Sequence, residues 1–215
     1  MSKYIKVLLK MLDENNGIIT AKMARDAKIP HEYFSIMTKK GLIEKAGKGL
    51  YSSKTTYVDE MSELQATNPG VIFSHLSALY VHDLTDRAPL KMTITIPRTQ
   101  NASRLIAGGM VKVKRSNEQT HLLGISEASS PSGFKIKVYD KERTICDIVK
   151  NAKNTDRQIL MESLKRYAHQ KDKDLSKLMQ YAKVLKTEKK SGNIWRCFYE
   201  KCYALKSLNQ EFCIG

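Results

Sequence analysis

The sequence predicts an α+β protein in two parts: a winged helix-turn-helix over residues 1–58, then an α+β domain over 59–215. Three observations predict it. Apolar residues recur at helical spacing up to Lys40, and a Gly-Lys-Gly turn between two strand-like runs follows. Runs between 71 and 138 alternate apolar and polar, as half-buried strands do. From Asp140 the period is helical again. The second part thus reads as a small, mainly antiparallel sheet (59–139) followed by a C-terminal helical bundle (140–215).

Tyr4 to Glu14 places Ile5, Leu8, Leu9 and Leu12 on one stripe, and Asn15-Asn16-Gly17 ends the helix. Ile18-Ile19 is a short β-like pair. Thr20 suits the N-cap of a second helix with Met23, Ala24 and Ala27 inward. Lys28-Ile29 reads as a tight turn. Pro30 then suits the first position of a third helix, where its fixed φ is already helical and no N–H is needed. That helix runs to about Lys40 and stops at Gly41. Leu42–Ala46 and Leu50–Ser52 are two strands joined by Gly47-Lys48-Gly49, and the polar run Ser53–Tyr57 is the expected linker.

Beyond the linker, Asp59–Ala66 reads as a brief helix and Val71-Ile72-Phe73 as a strand. Ser74 is placed to cap a helix to about His82. Lys91–Pro97, Met110–Lys114 and Phe134–Val138 alternate as strands. Asp140 is placed to cap a helix with Ile145, Ile148 and Val149 inward. Asp156–Ala168 and Asp172–Leu185 continue the bundle, and Ile194, Phe198, Cys202 and Leu205 form the stripe of a last helix.

With 37 Lys and Arg against 22 Asp and Glu, the formal charge is +15, which suits a polyanionic partner. The excess sits at the ends: 11 basic and 5 acidic residues over 1–58, 9 and 7 over 59–139, 17 and 10 over 140–215. No apolar run has the roughly 18 residues of a membrane span, and Met1–Lys10 lacks the apolar core of a signal peptide. Cys146, Cys197, Cys202 and Cys213 form no C-x-x-C and have no nearby His cluster. They read as reduced thiols of a cytoplasmic protein without metal or cofactor.

A helix fits the DNA major groove, and a glycine-flanked hairpin tip lets the backbone approach phosphate. In the third helix Phe34 and Met37 face inward, so Glu32, Ile36 and Lys39 face out, flanked by Tyr33, Ser35 and Lys40. The expected DNA-contacting residues are Lys22, Arg25, His31, Tyr33, Ser35, Lys39, Lys40 and Lys48. Lys22 and Arg25 come from the second helix and Lys48 from the wing tip. Small winged helices also bind proteins, and exposed lysines are often only solvated surface. The basic C-terminal helices carry Lys165, Arg166, Lys171, Lys173, Lys177, Lys183, Lys186, Lys189 and Lys190. These read either as solvated surface or as a further anion-binding face for flanking DNA or RNA.

Tests for catalysis fail. A restriction-nuclease-like site needs Glu-x-Lys on a strand, whereas Phe134–Val138 has no acid. Gly108-Gly109 is followed by no acidic pair of nucleotidyltransferase type, and no Walker loop or Gly-x-Ser-x-Gly occurs. His75 and His82, seven apart, miss the i, i+4 spacing of helical zinc ligands. Asp140 reads as a helix cap, and Arg143 with Asp147 as an i, i+4 ion pair worth a few tenths of a kcal/mol. The expectation is a non-enzyme, with a metal-dependent nuclease as the catalytic alternative.

Several segments together resemble one family. They are Ile72–Tyr80 with Leu84–Arg87, Thr93–Arg98, Tyr139–Ile148, Glu162–Tyr167, Leu178–Lys183, and the hairpin ending Gly47-Lys48-Gly49-Leu50-Tyr51. In order and spacing, from about residue 5 to 188, they look like the AbiEi family of abortive-infection antitoxins and transcriptional regulators. The resemblance implies a phage-defence toxin–antitoxin protein. Its N-terminal domain would bind inverted repeats in double-stranded DNA at its own promoter and repress the operon. Its C-terminal domain would oppose a nucleotidyltransferase-like toxin, in the type IV arrangement without stable binding. A winged-helix regulator with no toxin partner is the alternative.

Overall fold

The structure, a computed structural model, describes residues 2–187 together with Trp195 and Phe198. It falls into two compact units. One comprises Met1–Gly70 with Ser129–Ile136, the other Val71–Ala128 with Lys137–Gly215.

In the first unit α1 (Lys3–Glu14) buries Ile5, Leu8 and Leu12. It is followed by β1 (Ile18–Thr20), α2 (Ala21–Asp26), α3 (Glu32–Lys39), β2 (Glu44–Gly47) and β3 (Leu50–Ser52). Thr20 Oγ1 accepts the Met23 N–H at 3.1 Å, the expected N-cap. The three strands form a small antiparallel sheet in the order β1-β3-β2. The helical stripe of α1 meets Ala24, Ile29, Phe34, Met37, Ile43 and Tyr51 in one core. Ala27, expected inward, is exposed, because α2 ends at Asp26 and the chain is already turning.

This unit runs on past residue 58, so the expected 58/59 boundary lies within it. The reason is a buried carboxylate. Asp59 caps α4 (Glu60–Thr67) through the Ser62 N–H at 2.9 Å. It also accepts from Ser130 Oγ at 2.5 Å, from the Ser132 N–H at 3.0 Å and from the Ser132 hydroxyl. Burial alone would raise this carboxyl. The hydrogen bonds from Ser130, Ser132 and the backbone outweigh it and hold Asp59 below the usual carboxylate range. Phe134, from the same distant segment, completes a small core with Ile18 and Leu50.

The second unit contains β4 (Ile72–Phe73), α5 (His75–Val81), β5 (Met92–Pro97), α6 (Ser103–Ala107), β6 (Val111–Ser116), α7 (Glu118–Leu122) and β7 (Ile125–Ser129), the last running into the first unit's segment. Then come β8 (Lys135–Tyr139), α8 (Lys141–Lys150), α9 (Arg157–His169) and α10 (Leu175–Val184). Its five-stranded sheet has the order β6-β5-β4-β8-β7. This sheet is mixed rather than mainly antiparallel: β4–β5 is antiparallel, but β4–β8 and β5–β6 are parallel. The loop through α6 is long enough to carry the chain back, so β6 runs beside β5 in the same direction.

Asp140 Oδ1 accepts the Arg143 N–H at 2.8 Å and caps α8 as expected. The helix is more deeply placed than a single stripe implies, for Glu142 through Val149 are all buried. Its charges are therefore satisfied internally. Glu142 accepts from Tyr167 Oη at 2.8 Å and from the Asp174 N–H at 3.2 Å. Arg143 Nε donates to Asp147 at 3.0 Å, its Nη1 to the Thr120 and Leu123 carbonyls, and its guanidinium lies 4.3 Å from the Tyr139 ring centroid. Side-chain exposures of 3% and 7% place this ion pair in the interior, where the few tenths expected of a surface pair do not apply. Cys146 is buried, and burial raises its thiol pKa. The expected last helix, Cys197, Cys202 and Cys213 lie outside the described residues. Phe198, which is described, stacks on Tyr167. No described helix is long and apolar enough to cross a membrane.

Candidate nucleic-acid interface

Two buried side chains decide which way α3 faces. Phe34 and Met37 are fully buried, and the Phe34 ring stacks on Tyr51 of β3 at 4.2 Å between centroids. One turn of helix separates them, so the intervening Ser35 and Ile36 and the flanking Glu32 and Lys39 must point outward. They do: Glu32, Ser35, Ile36, Lys39 and Lys40 are all exposed. Ile36, 36% exposed, is the apolar member of a charged face. Thr38 is occupied, donating to the Phe34 carbonyl at 2.8 Å.

The turn before α3 fixes its entry. The Lys28 N–H bonds the Arg25 carbonyl and the Ile29 N–H bonds the Ala24 carbonyl, the paired bonds of a Schellman C-cap. Lys28 occupies the left-handed position at φ 56°, where glycine is usual, and Ile29 is buried beneath it. Pro30 precedes the helix rather than opening it, because His31 holds the N-cap position.

Lys22 and Arg25 on α2 are exposed, as is Lys48 at the hairpin tip. Among the described residues, Lys22, Arg25, Lys39, Lys40 and Lys48 form no ion pair. Their charge is available to a partner. His31 is exposed, its ring 5.6 Å from Phe34. Tyr33 is drawn the other way: its ring packs on Tyr4 at 4.9 Å and its hydroxyl accepts from Ser2 at 3.3 Å. It thus joins α3 to α1, a contact that residue spacing within one helix cannot reveal.

Two features were not foreseen. Lys28 and Lys45 are further exposed cations of this unit. Alternation along the hairpin would not have shown Lys45, because Ile43 two residues earlier is buried, Glu44 and Lys45 are both exposed, and the pairing of β2 is irregular there. In addition, the glycine at position 47 accommodates a carboxylate: a Cβ there would collide with Glu63 of α4. The backbone at Gly47 is thus covered by an acid, and the tip's cation is Lys48 alone.

In the second unit, two of the C-terminal cations are already committed. Arg166 pairs with Asp86 and with Glu162, and Lys177 pairs with Asp140 at 2.9 Å. Lys173 donates to the Gln170 carbonyl at 3.1 Å. Lys165, Lys171, Lys183 and Lys186 are exposed, and Lys189 and Lys190 lie outside the described residues.

No curated protein matches the chain. Residues 7–54, which span most of α1, then α2, α3 and the hairpin, match the family of transcriptional regulators described as AbiEi antitoxin.

Proposed function

We propose that this chain is the antitoxin and autorepressor of a toxin–antitoxin pair, with the first unit a winged helix-turn-helix that binds inverted repeats in its own promoter. One observation carries the reading. Within the matched segment, buried Phe34 and Met37 turn the Glu32–Ser35–Ile36–Lys39 face of α3 to solvent, beside cations with no acidic partner. In the major groove, Ser35 and Glu32 can hydrogen-bond base edges and Ile36 can meet a thymine methyl. Lys22, Arg25, Lys39, Lys40 and Lys48 contribute phosphate contacts, which position the module without reading sequence. The second unit counters a nucleotidyltransferase-like toxin in the cytoplasm by a non-enzymatic route.

The test is footprinting and salt-dependent binding on DNA upstream of its own gene. Lys39→Ala and Lys48→Ala should each weaken binding across sequences and reduce the slope of log affinity against log salt by about one. No protected repeat, or unchanged slopes for both variants, rejects the DNA-binding assignment. A second reading, a regulator without a toxin, is favoured by the confinement of the family match to residues 7–54. Co-expression with the neighbouring reading frame from an unrelated promoter separates the two. Relief of toxicity supports the antitoxin, and a harmless neighbour supports the regulator.

A further inference from the structure

The second unit contains a cleft of about 520 Å³ between the ends of β5, β6, α8 and α10. Its charge is one-sided. Arg98, Lys114, Arg115, Lys150 and Lys186 line it, and among the described residues none of them forms an ion pair. The one acid in the lining, Asp147, is already engaged by Arg143. Five unpaired cations around one concavity repel each other, and an anion within it would relieve that repulsion. Burial and, less, the neighbouring Lys112 lower the pKa of Lys114.

The wall is also built. His75 opens α5 at φ 50°, a conformation that costs a non-glycine residue about 1–2 kcal/mol and recurs at functional sites. Thr95 Oγ1 donates to Ser74 Oγ at 2.9 Å, and Ser74 Oγ lies 3.1 Å from His75 Nδ1. With the Ser74 proton directed to Nδ1, the remaining proton sits on Nε2. Burial, the largest influence on this ring, lowers its pKa to about 4, so it enters the cleft lining as a neutral N–H donor at neutral pH. Arg115, in turn, is oriented by its bonds to the Arg98 and Gln100 carbonyls at 3.1 and 2.9 Å.

We propose that this cleft binds an oligophosphate group of two or three phosphates. The volume suits a small ligand and excludes a duplex. Several converging cations with a neutral donor match phosphate oxygens. Among the described residues the lining holds no Phe, Tyr or Trp, and its cations dominate, so recognition rests chiefly on the phosphates. The group can come from a nucleoside triphosphate or from the 5′-triphosphate end of a nucleic-acid strand. The site is independent of the promoter-binding reading, since it uses no residue of the first unit.

The experiment is calorimetric titration of the full chain with inorganic tripolyphosphate. Saturable binding at one site is expected, weakened about tenfold by Lys150→Ala combined with Lys186→Ala. Both side chains are exposed, so the variant should keep its melting temperature. Lys165→Ala combined with Lys171→Ala removes the same charge elsewhere and should leave affinity within about twofold. Displacement by a nucleoside triphosphate identifies a free nucleotide as the source. Displacement only by a 5′-triphosphorylated oligonucleotide identifies a strand end. No binding, an equal loss in the Lys165/Lys171 variant, or equal displacement by a 5′-hydroxyl oligonucleotide would each overturn the proposal.

Discussion

Helices α3 and α8 are both short and both carry acids and bases, yet they use them in opposite ways. On α3, Glu32 and Lys39 flank a stripe of only two buried residues and stand in solvent. On α8, Glu142, Arg143 and Asp147 are enclosed with every residue between Glu142 and Val149. The surface charges are open to a partner, whereas the interior charges are consumed by Tyr167, Asp174, Thr120 and Leu123. A helix touched on one side shows its binding face in the sequence. A helix packed on several sides hides what its polar residues are for.

The largest effect should come from breaking the interior pair. Arg143→Met leaves Asp147 buried without its partner and should cost about 3–5 kcal/mol in urea denaturation. Adding Asp147→Leu should recover much of that loss, because a buried ion pair replaced on both sides by apolar groups is often nearly neutral. A loss below about 1 kcal/mol for the single variant would place the pair with surface salt bridges and erase the contrast with α3.

How much was legible follows the same line. In the first unit the order helix, strand, helix, helix, hairpin could be read, because each signal is local: the Ile5–Leu8–Leu12 stripe, the Thr20 cap, the Gly47-Lys48-Gly49 turn. In the second unit, the local cap at Asp140 was legible. The α10 cap was not: Asp172 pairs with Lys141, and Asp174 caps the helix through the Lys177 N–H. The elements α6 and α7, of five residues each, are too short to show a period. Parallel pairing of β5 with β6 leaves no trace in alternation, which reports faces and not directions. At the candidate interface the exposed cations were legible, but Tyr33's contact with Tyr4 and Glu63's approach to Gly47 depend on tertiary packing.

The distant segment that belongs to the first unit offers a second way to test the comparison. Phe134 lies far along the chain, yet it covers Ile18 and Leu50 of the first unit's sheet. Phe134→Ala should therefore destabilise that sheet, by about 3 kcal/mol. Hydrogen exchange should register the change as lost protection in Ile18–Thr20 and Leu50–Ser52. Unaltered protection there would return the boundary to residue 58.

The smallest expected effect has the opposite sign. Lys28 sits at φ 56° in the turn that delivers α3, and its N–H and that of Ile29 close the C-cap of α2. An L side chain in this region costs about 1–2 kcal/mol, whereas glycine adopts it freely. Glycine also gains freedom in the unfolded chain, which offsets part of the relief, so Lys28→Gly should stabilise the first unit by only about 0.5–1 kcal/mol. Thermal melting of the full chain together with hydrogen exchange in α2 checks this. The same variant removes an exposed cation beside α3. If Lys28 contacts phosphate, the tighter module will bind DNA less well, with a salt slope lower by about one. If it does not, stability will rise while the slope is unchanged, and Lys28 will be a turn residue only. A loss of stability would mean that the lysine makes a contact strong enough to hold it in a conformation that glycine should prefer.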